Sequence, residues 1–202
     1  MAINLIVEAE VVDLLTDTPS VNDQFLVDTN VWFWFVYTQA GAFTKNRSHY
    51  YLAYLNSCSN SDAELFHSNL SLSELSHIIE RTEYDIYSNR GPAWQIKEFR
   101  HNLVERMRVV NEINTAWAQV ENLSAAMPAT VDQPCVNASL TRLQSQKIDG
   151  YDLFILESMK AHGIEQVITD DSDYATVPGI RVFTANSNVI KAARNQGKLL
   201  KR

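Results

Sequence analysis

The sequence predicts an α/β fold, a three-layer α/β/α arrangement around a central parallel sheet with a long helix inserted. Three observations predict it. Segments of strand and helix character alternate from residue 25 onward, which argues for a parallel sheet with helices on both faces. The run FLV is apolar at every position, as a strand covered on both faces must be. A third stretch, roughly residues 93–125, carries apolar residues at helical spacing for far longer than its neighbours.

FLVD, continued by TNVWFWF, reads as a buried strand that ends at a carboxylate and feeds a helix rich in Trp and Phe. A helix around residues 45–57 follows, then a short strand near 66–68, then a helix opened by SLSELSHIIERT. Proline suits a helix's first turn, so Gly91-Pro92 marks the next start. Phe99, Leu103, Met107, Val110, Ile113, Trp117 and Val120 then recur at spacings of three and four, predicting one amphipathic helix over residues 93–125. Met127-Pro128 stops it. Residues 128–147 read as loop with a short turn of helix, GYDLFILESMKAHG as a helix closed by Gly163, EQVIT as a buried strand and GIRVFT as the last strand. The expected organisation is an N-terminal extension over residues 1–24, one domain over 25–187 with a helical insertion at about 93–147, and a basic C-terminal segment over 188–202.

The composition, 46% hydrophobic and 20% charged over 202 residues, is that of one packed domain. Cys58 and Cys135 have no CxxC spacing and no partnering histidines, which excludes a zinc site or disulfide framework and fits a reducing cytoplasm. Glu8, Glu10 and Asp13 interrupt the N-terminus where a signal peptide needs an apolar run, and no stretch reaches membrane-spanning length. A net charge of −7 counts against a polyanionic partner, but its distribution is uneven. Residues 1–30 carry six acids and no base, whereas residues 174–202 carry six bases and no acid.

The acids gather where strands end. Asp28 follows FLV, Asp171 and Asp173 follow VIT, and Asp149 and Asp152 open the LFILESM helix. In an open parallel sheet the carboxyl ends of the strands share one edge, so acids far apart in sequence can meet there. Several carboxylates in one cleft repel unless cations are present, and an all-oxygen donor set suits Mg²⁺ or Mn²⁺. Each acid also has a local reading. Asp28 can cap a helix, Ser71 to Glu74 has the spacing of a capping box, Asp149 and Asp152 suit a first turn, and residues 170–173 can be an ordinary acidic turn.

FLVDTNVW, SLSELSHII, DLFILESMKAHG and VITDDSDY, taken together and in this order, resemble the four signature segments of PIN-domain nucleases. The resemblance implies Asp28, Glu74, Asp152 and Asp171 as catalytic residues and metal ligands, with Asp173 two positions on. Thr29, Asn30, Asp149 and Thr169 fall at supporting positions. It further implies metal-assisted hydrolysis of phosphodiester bonds, most often in RNA, with Mg²⁺ or Mn²⁺ as cofactor. A homodimer and, where the protein acts as the toxin of a pair, an antitoxin protein are the partners it suggests; no membrane is involved. The chain is longer than a compact toxin of that family, by its front extension and its long helix.

Phosphate contacts are expected from Arg81, Arg90, Lys97 and Arg100 and from Lys198, Lys201 and Arg202 in the C-terminal segment. Trp32, Phe33, Trp34 and Phe35 fit either stacking on bases or the core and a subunit interface. Among rival chemistries, an Asp-nucleophile phosphatase wants a second Asp two residues after the first, where this chain has Asn30. A catalytically silent binding module of the same fold and a DNA- or structure-specific nuclease are the remaining alternatives.

Overall fold

Every strand in this protein pairs parallel to its neighbours, so each connection must cross over one face of the sheet. The computed structural model describes residues 5–42, 47–89, 91 and 94–202. In chain order the elements are β1 (Glu10–Asp13), β2 (Gln24–Val27), α1 (Thr29–Val36), α2 (Ser48–Asn60), β3 (Glu64–Ser68), α3 (Ser71–Ser88), α4 (Ile96–His101), α5 (Leu103–Leu123), β4 (Ala125–Met127), α6 (Gln133–Leu143), α7 (Asp152–His162), β5 (Gln166–Ile168), β6 (Arg181–Thr184), α8 (Ser187–Asn195) and β7 (Leu199–Leu200). The sheet order is β4-β3-β2-β5-β6-β1-β7.

Alternation along the strands divides the core into two layers. Phe25 and Val27 pack with Trp32, Tyr51, Leu75, Ile79 and Val120, under α1, α2, α3 and α5. Leu26, between them, joins Leu156, Met159, Val182 and Val189 under α7 and α8. This is the three-layer α/β/α arrangement. Its direction of winding reverses beside β2, because β3 and β4 extend the sheet on one side and β5 and β6 on the other. A crevice opens at such a reversal, outside the carboxyl ends of the two strands that flank it, here β2 and β5.

The long helix is two helices. Asn102 leaves helical geometry with ψ 117°, and its side chain accepts hydrogen bonds from the Val104 and Glu105 N–H groups at 3.0 and 3.1 Å, so α5 starts afresh there. The restart changes the phase. Val109, Ala116 and Val120 are buried, with Ile113 and Trp117 packed against the same core, while Leu103 and Met107 turn to solvent at 80% and 62% exposure. Residue 93, the expected start, lies outside the described residues. The segment 128–147, expected as loop with a short turn, holds the eleven-residue α6. Asp132 caps it by accepting from the Cys135 N–H at 3.0 Å, and Pro134 sits in its first turn.

Both terminal segments enter the sheet. The extension over residues 1–24 supplies β1, which pairs with β6 in the register Glu10 to Arg181, and the C-terminal segment supplies most of α8 and then β7. Cys58 and Cys135 are free thiols. Among the described residues no helix is long and apolar enough to cross a membrane.

Candidate active site

Four acids come to the crevice from four different elements. Asp28 follows β2, and its N–H bonds the Ile168 carbonyl of β5 at 3.1 Å. Its main-chain carbonyl begins α1, yet its side chain makes no cap; Oδ2 instead accepts from Thr169 Oγ1 at 2.6 Å. Thr169 Oγ1 in turn accepts the Asp171 N–H at 2.9 Å, so its single proton is directed at Asp28. Asp171 Oδ1 accepts the Asp173 N–H at 2.9 Å, which fixes the turn after β5. Glu74, in the first turn of α3, does not reach back to Ser71; its Oε2 accepts from Thr29 Oγ1 at 2.7 Å. Asp152 opens α7, and its Oδ1 accepts from the buried Tyr174 hydroxyl at 2.7 Å.

These partners are all neutral. Among the described residues no Lys or Arg forms an ion pair with Asp28, Glu74, Asp152 or Asp171, although ten such pairs occur elsewhere. Burial pushes the Asp28 carboxyl up to about 7, and the charges of Asp171 and Glu74 add to the push while the Thr169 hydroxyl opposes it. Asp152 is pushed up to about 8, first by burial and then by the charges of Asp28, Glu74 and Asp171. Glu74 is raised by burial and by Asp149. The phenol of Tyr174, buried beside Asp152, is raised far enough to stay a donor.

The PIN domain family matches residues 25–180. The chain belongs to that family. No curated protein matches it. The PIN domain match holds all four acids together with β2, β3, β4 and β5, whereas β1, β6, α8 and β7 lie outside it and extend the sheet at one side. PIN domains are nuclease folds, and the acids stand where the topology opens its crevice.

The donors of this PIN domain fit a divalent metal in chemistry. They are all carboxylate oxygens, and they raise one another's proton affinity, a charge that a hard cation offsets; among the described residues no basic side chain is paired to them. Among the described residues no group of three His, Cys, Asp or Glu side chains is already closed on a point that a metal ion could occupy.

The other expected site residues fall at the rim or away from it. Asp173 is partly buried and feels the charge of Asp171, and Asp149 is exposed, its charge felt by Glu74. Asn30 is exposed and its side chain makes no hydrogen bond among the described residues, so it braces none of the acids. Arg81 pairs with Asp85 at 3.5 Å, while Lys97 and Lys201 are exposed; Arg90 lies outside the described residues. Arg100 does not serve as a free cation: it grips the buried Glu80 together with Arg106, tying α4 and α5 to α3. Lys198 donates to the Glu8 carbonyl at 3.2 Å. Arg202 bonds Asp17 and Asp23 and covers the Phe183 ring at 4.8 Å. Asp23 precedes β2 and Asp28 follows it, so Arg202 is anchored at the opposite end of that strand from the acids.

Two groups escaped the reading of the sequence. Tyr174 orients Asp152, and the only hint was that it closes the VITDDSDY segment. Asp170 turns away from the acids to a buried polar knot in which Arg47 Nη2 donates to Oδ2 at 2.7 Å and the Tyr51 hydroxyl to Oδ1 at 2.8 Å. Nothing near Arg47 or Tyr51 in sequence signals that pairing.

Proposed function

We propose that this protein is a divalent-metal-dependent endonuclease that hydrolyses phosphodiester bonds in RNA. One observation carries the reading: four carboxylates from four separate elements converge at the reversal of the sheet and are held by neutral donors alone. A structural role for buried acids puts a cation beside them, as Arg100 and Arg106 stand beside Glu80.

Asp28, Asp152 and Asp171 would hold the ion, with Glu74 beside them. When bound, a divalent metal lowers the pKa of a coordinated water and stabilises charge on the phosphoryl and leaving oxygens. The chain's own part is orientation. Thr169 turns Asp28, Tyr174 turns Asp152 and Thr29 turns Glu74, each by a side-chain hydrogen bond to one carboxylate oxygen. Protons held by Asp28 and Asp152 near neutrality would have to leave for an ion to bind, so metal affinity would strengthen with pH.

The test is cleavage of a labelled RNA by protein supplied with Mg²⁺ or Mn²⁺. EDTA stops it, and Asp152→Asn and Asp171→Asn each lose most of the activity while circular dichroism stays native. Equal cleavage by wild type and both variants identifies a contaminating nuclease and rejects the assignment.

A further inference from the structure

Beside the acids lies a cleft of about 390 Å³ whose walls come from α1 (Asn30, Phe33, Trp34), α3 (Ile78) and the turns that follow β5 and β6 (Asp170, Asp171, Ser172, Asn186). We infer that this cleft takes one unstacked nucleobase of the substrate strand, with Trp34 as its stacking wall and Asn30 as a contact to the base edge. The inference rests on the nuclease reading for the class of substrate.

Four aromatic residues in α1 were equal candidates for stacking, and the fold separates them. Trp32 is 1% exposed, within the core. Phe33 is 4% exposed and already stacked on Tyr37 at 5.2 Å. Phe35 faces a different cavity, beside Leu65 and Leu123. Trp34 alone combines partial exposure with a place in the cleft wall, and its ring is steadied from within by Tyr51 at 5.4 Å.

Charge decides which part of a nucleotide enters. Asp171 belongs to both cleft and acid cluster, and Asp170 accepts hydrogen bonds from Arg47; among the described residues that line the cleft there is no Lys or Arg. A neutral, flat base with polar edges suits it. The Asn30 amide, exposed and bonded to nothing among the described residues, and the Ser172 hydroxyl supply donors and acceptors to such an edge. Because Asp171 is shared, a base held here sets its own backbone beside the four carboxylates. A base in a duplex is stacked on both faces and paired at its edge, so the occupant must come from a single strand, a loop or an extruded position.

The experiment reads binding without cleavage. On an Asp152→Asn background, the affinity of a fluorescein-labelled single-stranded oligoribonucleotide is measured by anisotropy beside a duplex of the same sequence. Trp34→Leu should weaken the single strand about tenfold or more and leave the duplex unchanged, while Trp34→Phe keeps affinity within about threefold. Scanning one abasic position along the strand should find a site where the missing base costs the Trp34 protein as much as the leucine substitution does and costs the leucine variant nothing further. Unchanged affinity in Trp34→Leu, or equal loss for strand and duplex, overturns the cleft. Should the leucine variant melt below the assay temperature, Asn30→Ala, which removes an exposed and unbonded side chain, must still weaken the single strand by roughly three- to tenfold, and unchanged binding overturns the proposal. A Trp34-dependent site on a wild-type protein that cleaves nothing would reject the nuclease reading and leave the base site standing.

Discussion

A threonine hydroxyl has one proton to give, and at residue 169 the Asp171 N–H occupies the acceptor side, so the proton goes to Asp28. Thr169→Val keeps the shape and removes the bond. We expect Mn²⁺ affinity and cleavage to fall together by about 10–100-fold, the usual effect of losing a group that orients a metal ligand. Thr169→Ser should restore both. Calorimetric titration checks the first effect, and a valine variant that binds metal like wild type would show that Thr169 only packs. At this scale the sequence was readable where chemistry forces a residue type. Asp28 and Asp171 stood out because they follow apolar strands, Asp152 because it opens a helix near them in the same pattern, and Glu74 through the resemblance of SLSELSHII to the PIN-domain segment. Tyr174 and the Arg47–Asp170 pair were hidden because their partners depend on strand register and on which way a turn faces, neither of which a single sequence displays. Asn30 shows the converse: its type fitted a supporting role, yet on α1 its side chain is exposed and makes no hydrogen bond among the described residues.

Elements are decided by their ends as much as by their faces. The apolar repeat from Phe99 to Val120 ran unbroken through a helix start, and only the Asn102 side chain, bonded to two N–H groups, marks the joint. Asn102→Ala should cost about 0.5–2 kcal/mol of stability, or roughly 2–4 °C of melting temperature per kcal/mol for a chain of this size. A calorimetric scan decides, and an unchanged melting temperature rejects the cap. The C-terminal segment was equally ambiguous, since basic residues near a chain end suit phosphate binding or solvent. Arg202 does neither, for it closes on Asp17 and on Asp23, which is 4% exposed. Arg202→Ala should therefore lower stability by about 1–3 kcal/mol, the penalty for stranding buried polar partners. It should also leave the slope of RNA affinity against salt unchanged, where a lost phosphate contact to a single strand would flatten it by about 0.7. A flattened slope at unaltered stability would return Arg202 to the nucleic acid.

For the whole molecule the acid cluster is a standing cost that depends on pH. Asp28 and Asp152 titrate at about 7 and about 8 in the folded protein, whereas free carboxylates titrate near 4. Between those values the native state holds protons that the unfolded chain has released, so stability is fullest below the unfolded pKa and is lost as pH rises through the folded one. Asp23 and Glu80, held low by Arg202 and by Arg100, act in the opposite sense but only at pH below the ordinary carboxylate range. Below pH 6.5 the lowered His67 works against this trend, so the metal-free protein should melt progressively lower from pH 6.5 to 8.5. Asp28→Asn should raise its melting temperature at pH 8.5, and added Mn²⁺ should stabilise the wild type most at that end. A flat profile without metal would contradict the cluster's electrostatics. The sheet's layout also bears on how the chain reaches this state. β1 lies between β6 and β7, so a strand near residue 10 pairs only with strands near residues 181 and 199. Such distant pairing is slow, because a long loop must close before any contact rewards it. On a ribosome β1 emerges early and has no partner until β6 follows, while β2 meets β3 within some forty residues, in the register Gln24 to Glu64. Pulse-labelled hydrogen exchange during refolding should find β2 and β3 protected before β1. Until β6 arrives, Val11 and Val12 of β1 have no sheet to bury them.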